Sequence, residues 1–220
     1  MPAAPATLAA LRSLLAARFP EDVRKSRGGV PTGVAAVDEA LGGGLPAGRL
    51  TELVAQAPSS GGQLVLARLL AATRAARQRV ALVDGADQFA PEAVPPDQLR
   101  HLVWVRCRRP ADALAAADLL VRDGNYGVLV LDLRGLAARA LRRQPATAWY
   151  RLQRAAEGGT AAVLVLTSFS LVPAVPWRLA LHHPLALAHA RAPRANLAAG
   201  LAVEIARGHA AAAALEACGT

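Results

Sequence analysis

The stretch from Gly33 to Gly62, GVAAVDEALGGGLPAGRLTELVAQAPSSGG, orders its residues as a phosphate-binding loop does. A Gly-rich turn at Gly42, Gly43 and Gly44 leads to a short expected strand from Leu50 to Val54, then a Ser-Gly loop, then a helical pattern. Such an order aims backbone N–H groups at an anion from a helix N-terminus. The full pattern is G-x-x-x-x-G-K-[ST]. Aligned on Gly61, this chain has Gln56 for the first Gly, Gly62 for the Lys and Gln63 for the Ser/Thr, while Ser59, Ser60 and Gly61 remain.

The chemistry removed is specific. The Lys of such a loop is a cation set against terminal phosphates, and each charge-assisted hydrogen bond of that kind contributes about 1.5–3 kcal/mol. Gly62 supplies no charge. The Ser/Thr hydroxyl serves magnesium, a hard ion that takes oxygen ligands, and the longer amide of Gln63 is a poor substitute. Backbone amides remain to cradle an anion, but tight, hydrolysis-competent nucleotide binding is not expected. On the loop alone, an ordinary Gly/Ser turn in an unrelated domain is an equal reading.

The elements that would carry this loop alternate along the chain. Apolar runs predict strands near 50–54, 80–84, 102–106, 127–132, 162–167, 178–182 and 201–206, and periodicity predicts helices near 62–78, 110–122 and 145–157. Uniformly apolar strands alternating with helices imply an α/β fold with a mainly parallel sheet covered on both faces. Gln63, Arg74, Arg77 and Gln78 fall on one arc of the first of these helices, a solvated face. Ahead of the core, Thr7 to Phe19 reads as a helix with Leu8, Leu11, Leu15 and Phe19 on one stripe, stopped by Pro20 and followed by the polar linker Glu21 to Gly29. That stripe either packs on its own domain or docks on another chain, which makes these four residues partner-binding candidates. The division expected is residues 1–29 as helix and linker, 30–207 as core and 208–220 as tail.

A chain of 220 residues has room for one sizeable core. No apolar run is long enough to predict a membrane span, and Met1 to Ala10 lacks the basic start and apolar block of a signal peptide. Cys107 and Cys218 are far apart and have no metal-ligand spacing, which suits a reduced, cytoplasmic protein. The net charge is +9, carried almost wholly by Arg, since Lys25 is the single Lys. Biased codon usage or an acidic or nucleic-acid partner would each give this. Aromatic residues make up only 4% of the chain, too few for a stacking platform of the kind single-strand binders use, so DNA binding is expected to be weak and non-specific.

Other chemistry has little support. His182 and His183 are adjacent on an expected strand and would point to opposite faces. Neither His189 nor His209 completes a ligand pattern, so no metal is expected. Asp84 and Asp132 would approach each other at neighbouring strand ends. Without the Lys and Ser/Thr they are expected to serve turns rather than magnesium.

The segment GVAAVDEALGGGLPAGRLTEL resembles the approach to the phosphate loop in RecA-like recombinases, and VALVDGADQFAP (Val80 to Pro91) resembles the second core strand and its turn. LVWVRCRRPADALAAADLLVRDGNYGVLVLDLRGL is similar to that family's third strand, following helix and Walker B strand. The resemblance implies a RecA-like P-loop NTPase core. It places Asp132 at the magnesium-associated position and Ala86 where the family has the Glu that activates water. It also places Thr167 and Ser168 at a polar strand-end sensor and implies that the leading helix joins protomers. The two mobile DNA loops of the family are cut back here, to RGLAARALRRQPATAW and FSLVPAVPW. With Gly62, Gln63 and Ala86 all departing, the resemblance implies a core with no catalytic residues and no cofactor. This layout resembles the ImuA family of accessory proteins in inducible mutagenic translesion synthesis, which implies RecA, a polymerase-like ImuB-type protein and an error-prone polymerase as partners. Two other readings stay open: a cell-division inhibitor like SulA, and a weak ATPase with a non-standard loop.

Overall fold

The computed structural model describes residues 29–57, 59–182, 185 and 191–207. The stripe Leu8, Leu11, Leu15 and Phe19, with His183, His189, His209 and the tail from 208, lies outside the described residues.

Seven strands form one sheet: β1 Leu50–Ala55, β2 Val80–Asp84, β3 Leu102–Arg106, β4 Val128–Asp132, β5 Ala162–Thr167, β6 Trp177–Leu181 and β7 Val203–Arg207. Their order across the sheet is β3-β2-β4-β5-β1-β6-β7. Every neighbouring pair is parallel except β6 and β7, which run antiparallel. Among the described residues the helices are α1 Ala35–Ala40, α2 Gly62–Ala75, α3 Pro110–Asp123, α4 Ala138–Arg142, α5 Ala146–Glu157 and α6 Arg194–Ala199. All three longer helices begin within one residue of their expected starts.

Strand periodicity divides the core in two. Side chains alternate between faces, and because both faces of the central strands are covered, β2, β4 and β5 are apolar at every position up to their polar ends Asp84, Asp132 and Thr167. Leu82, Val130 and Leu164 point to one face, where they pack with Val65, Leu66, Leu69 and Leu70 of α2. Ala81, Val83, Leu129, Leu131, Val163 and Val165 point to the other, against Leu114 and Ala117 of α3 and Trp149 and Leu152 of α5. This is the mainly parallel, two-sided α/β arrangement expected from the strand pattern.

Helix α2 stops earlier than its periodicity suggested. It ends at Ala75, and Arg77 takes a left-handed backbone with φ 55°, so the polar arc keeps only Gln63 and Arg74 on the helix itself. Between β2 and β3 the chain uses two short 3-10 turns, Pro91–Ala93 and Pro96–Leu99, each with Pro in its first turn where a missing N–H costs nothing.

Candidate functional site

Strand β1 delivers the Ser-Gly loop to the C-terminal edge of the sheet, beside the ends of β4 and β5. The loop is tied to itself. The Ser60 hydroxyl accepts a hydrogen bond from the Ala57 amide at 2.9 Å, and the Ser60 amide donates to the Ala57 carbonyl at 3.0 Å. Ser60 is buried, whereas Gln56, Ser59 and Gln63 are exposed. Gly61 caps α2 in the left-handed region, φ 90°, a conformation that suits Gly.

Two side chains close over the loop. A Cβ at Gly61 would collide with the isobutyl group of Leu201, and a Cβ at Gly62 would collide with the guanidinium of Arg134. The side-chain space that a Lys at position 62 would need is filled by a cation from the turn after β4. Arg134 is held there by Asp132: its Nε donates to Oδ1 at 2.9 Å and its Nη2 to Oδ2 at 2.5 Å. The Arg134 amide also donates to Oδ1, at 3.2 Å. Only 14% of the Arg134 side chain and 9% of the Asp132 side chain reach solvent, so this is a shielded pair.

Asp84 and Asp132 are register partners on β2 and β4, as the expected strand ends require. Their carboxylates do not share a ligand. Asp84 accepts from the amides of Ala86 at 3.3 Å, Gln88 at 3.0 Å and Phe89 at 2.8 Å, and from the Trp104 indole at 3.3 Å. It organises the turn after β2. Ala86 donates its amide to that turn and offers no side-chain base.

A magnesium–nucleotide group, which the resemblance would bring to this place, does not fit these residues. Asp132 is consumed by Arg134, Asp84 by the turn, and Gln63 points to solvent. Among the described residues no group of three His, Cys, Asp or Glu could hold a metal ion.

Glu52 was not singled out from the sequence, yet it is the most enclosed charge here, with no solvent exposure. Its Oε1 accepts from the Leu171 amide at 2.7 Å, the Val172 amide at 3.2 Å and the Thr167 hydroxyl at 3.2 Å. Its Oε2 accepts from Arg178 Nε at 2.5 Å, and Arg178 Nη2 donates to the Val172 carbonyl at 2.6 Å. The two polar strand-end residues Thr167 and Ser168 are thereby separated in role: Thr167 joins Glu52, and Ser168 donates to the Arg134 carbonyl at 3.0 Å. The signal for Glu52 was available, since a lone acid inside an apolar strand must find partners or pay a large desolvation cost. The signal for Arg134 was its position two residues beyond Asp132. Leu201 gave none, because only the fold brings it to Gly61.

The histidines behave separately. His182 stands just past β6 and its Nε2 lies 2.6 Å from Glu204 Oε2, so an acid is nearby that sequence spacing hid. His101 sits against Thr73, with Nε2 2.9 Å from the hydroxyl, while its buried Nδ1 has no partner. Burial and then the Arg74 charge push its pKa below the ordinary His value, against a smaller pull from Asp97. Burial raises the Cys107 thiol.

Residues 29–80 match a family of unknown function, DUF7125. The chain is also similar to RecA proteins. It is 36% identical over 123 residues to Protein RecA of Mycolicibacterium gilvum (strain PYR-GCK), covering 52% of this chain and 33% of that protein. The figures are 35% over 123 residues for Protein RecA of Nocardia farcinica (strain IFM 10152), with 52% and 34% covered. For Protein RecA of Frankia alni they are 34% over 118 residues, with 52% and 34% covered. The matched stretch is thus about a third of the length of these curated relatives. Together with the seven-stranded, mostly parallel sheet, this similarity gives the chain a RecA-like core.

Proposed function

We propose that this chain is a non-catalytic accessory protein on a RecA-like core. In this reading it works in inducible DNA-damage tolerance by binding RecA, a polymerase-like ImuB-type protein and an error-prone polymerase of mutagenic translesion synthesis. One observation carries the non-catalytic part: the Arg134 guanidinium fills the side-chain space at Gly62 while gripping Asp132. Phosphoryl transfer depends on positioning and on electrostatic stabilisation by cations around the phosphates. A loop with an internal cation in its Lys space, no hydroxyl at Gln63 and no base at Ala86 lacks those parts. The similarity to RecA proteins supports the damage-response setting. A RecA-like core without turnover keeps surfaces by which such cores stack on one another.

Two measurements test this. Purified protein with magnesium and ATP, with and without single-stranded DNA, is expected to release no phosphate above background. Robust turnover that Asp132→Ala abolishes would restore the ATPase reading. Pull-downs are expected to retain RecA and the polymerase partners, and Leu8→Ser, Leu11→Ser and Leu15→Ser together are expected to weaken RecA capture. No RecA binding, combined with blocked assembly of the tubulin-like division protein, would replace this reading with the SulA-like one.

A further inference from the structure

The positive charge of this chain is concentrated. From Leu133 to Val203 there are nine Arg and a single acid, Glu157, while all other residues together carry sixteen basic and fifteen acidic side chains. Three of the nine are neutralised by acids outside the stretch: Arg134 by Asp132, Arg178 by Glu52 and Arg151 by Asp118. Arg139, Arg142 and Arg143 form no ion pair among the described residues, and all three are exposed. They lie at i, i+3 and i+4 along α4 and its C-cap, a spacing that puts them on one side of the turn.

This basic shelf borders a cleft of about 220 Å³, walled by Leu141, Arg142, Trp149, Phe169, Leu171 and Pro173, with Ser170 at its exposed rim. The far wall is fixed from behind. Buried Glu52 holds the amides of Leu171 and Val172, and Gln153 Nε2 donates to the Pro173 carbonyl at 3.2 Å. The cleft is smaller than the roughly 300–1,000 Å³ of small-molecule sites and matches one or two apolar side chains. The Arg142 guanidinium already lies over the Phe169 ring, 4.7 Å from its centroid, so that ring face is not open for a nucleic-acid base to stack on.

We infer that this cleft and the Arg139–Arg142–Arg143 shelf form a docking site for an acidic segment of a partner protein, which seats an apolar anchor residue in the cleft and its flanking carboxylates on the guanidinium forks. Arg suits this use because its planar fork binds carboxylate bidentately. A rigid pocket for an apolar anchor, rimmed by unpaired charge, is how short segments gain both affinity and orientation. The site deepens the adaptor reading by naming the chemistry of one partner, but it does not share residues with the closed phosphate loop. Phosphate release therefore tests the adaptor reading, and peptide binding tests this site.

The experiment is fluorescence anisotropy on the full chain with three labelled probes. The first is an eight-residue peptide with Leu-Phe flanked by three acidic residues on each side, the second is polyglutamate of equal length, and the third is a short single-stranded oligonucleotide. The anchored peptide is expected to bind at least tenfold more tightly than polyglutamate. Arg139→Glu, Arg142→Glu and Arg143→Glu together are expected to weaken it at least tenfold, and so is Ser170→Trp, which fills the cleft mouth, with melting temperature retained. If the triple variant melts, Ser170→Trp decides alone. Equal binding of polyglutamate, or binding that survives the variants, overturns the site. Tighter binding of the oligonucleotide, lost in the same Arg variants, also overturns it and makes the shelf a nucleic-acid surface.

Discussion

The guanidinium of Arg134 grips both carboxylate oxygens of Asp132, through Nε to Oδ1 at 2.9 Å and Nη2 to Oδ2 at 2.5 Å, and the same group stands against Gly62. An internal cation therefore neutralises the strand-end acid from the place a loop Lys would use. Removing one partner of a shielded pair leaves the other charge without compensation, at a cost of about 3 kcal/mol. Arg134→Ala should lose about this much in urea unfolding, and Arg134→Ala with Asp132→Asn should recover part of it. A double variant no more stable than Arg134→Ala would mean the pair is not coupled.

Gly62→Lys should destabilise the protein, because the new side chain and Arg134 compete for one space. In the Arg134→Ala background the same substitution should do less harm, with a coupling of about 0.5–3 kcal/mol between the two sites. Additive effects in the urea melts would show that Arg134 does not occupy the Lys space in solution.

Glu52→Gln should be among the most damaging single changes. It removes the buried charge opposite Arg178 and weakens the clamp on Leu171 and Val172. A loss of about 3–5 kcal/mol is expected, with faster hydrogen exchange at those two amides. Loss of stability without faster exchange there would place the effect elsewhere.

Asp84→Ala should cost about 1–3 kcal/mol, because three turn amides and the Trp104 indole lose their shared acceptor. Magnesium should not change the melting temperature of the wild-type protein. A rise with magnesium that disappears in Asp84→Ala would instead make Asp84 a metal ligand.

Acid should destabilise the chain through His101. Its folded pKa lies below the ordinary value of about 6.5 because burial, and then Arg74, oppose the imidazolium. Protonation would also put an N–H on Nδ1, which has no acceptor. The unfolded chain then binds the proton more readily, so this stability is fully present above about pH 6.5 and is lost as pH falls toward the lower folded value. His101→Gln should flatten the melting temperature between about pH 7 and 5. An unchanged slope would assign the effect to other groups.

DNA binding should be weak and should fade steeply between about 50 and 200 mM salt, as sequence-independent phosphate contacts do. Affinity that persists at high salt and prefers one sequence would reveal a dedicated site.

Much of the fold was legible because strand burial leaves a one-dimensional trace. VLVL of β4 and AVLVL of β5 are apolar at every position up to the polar strand ends Asp132 and Thr167, which only a strand covered on both faces needs. The loop from Gln56 to Gln63 was legible as a departure from a pattern, since residue types at fixed spacing are the pattern itself. The end of α2 was not, because Arg77 adopts a positive φ that its side chain does not announce. Asp84 and Asp132 were placed together by their strand ends, but their partners were hidden. Whether a carboxylate serves a metal, a turn or a guanidinium depends on which atoms reach its oxygens, and those come from the turn at Gln88 and Phe89 in one case and from Arg134 in the other. The sequence alone determined the sheet and the missing Lys at Gly62. Only the tertiary structure decided what fills its place, because Arg134 follows β4, which parallel pairing through β5 aligns with β1, and Leu201 precedes β7, whose antiparallel pairing with β6 brings its start to the same end of the sheet.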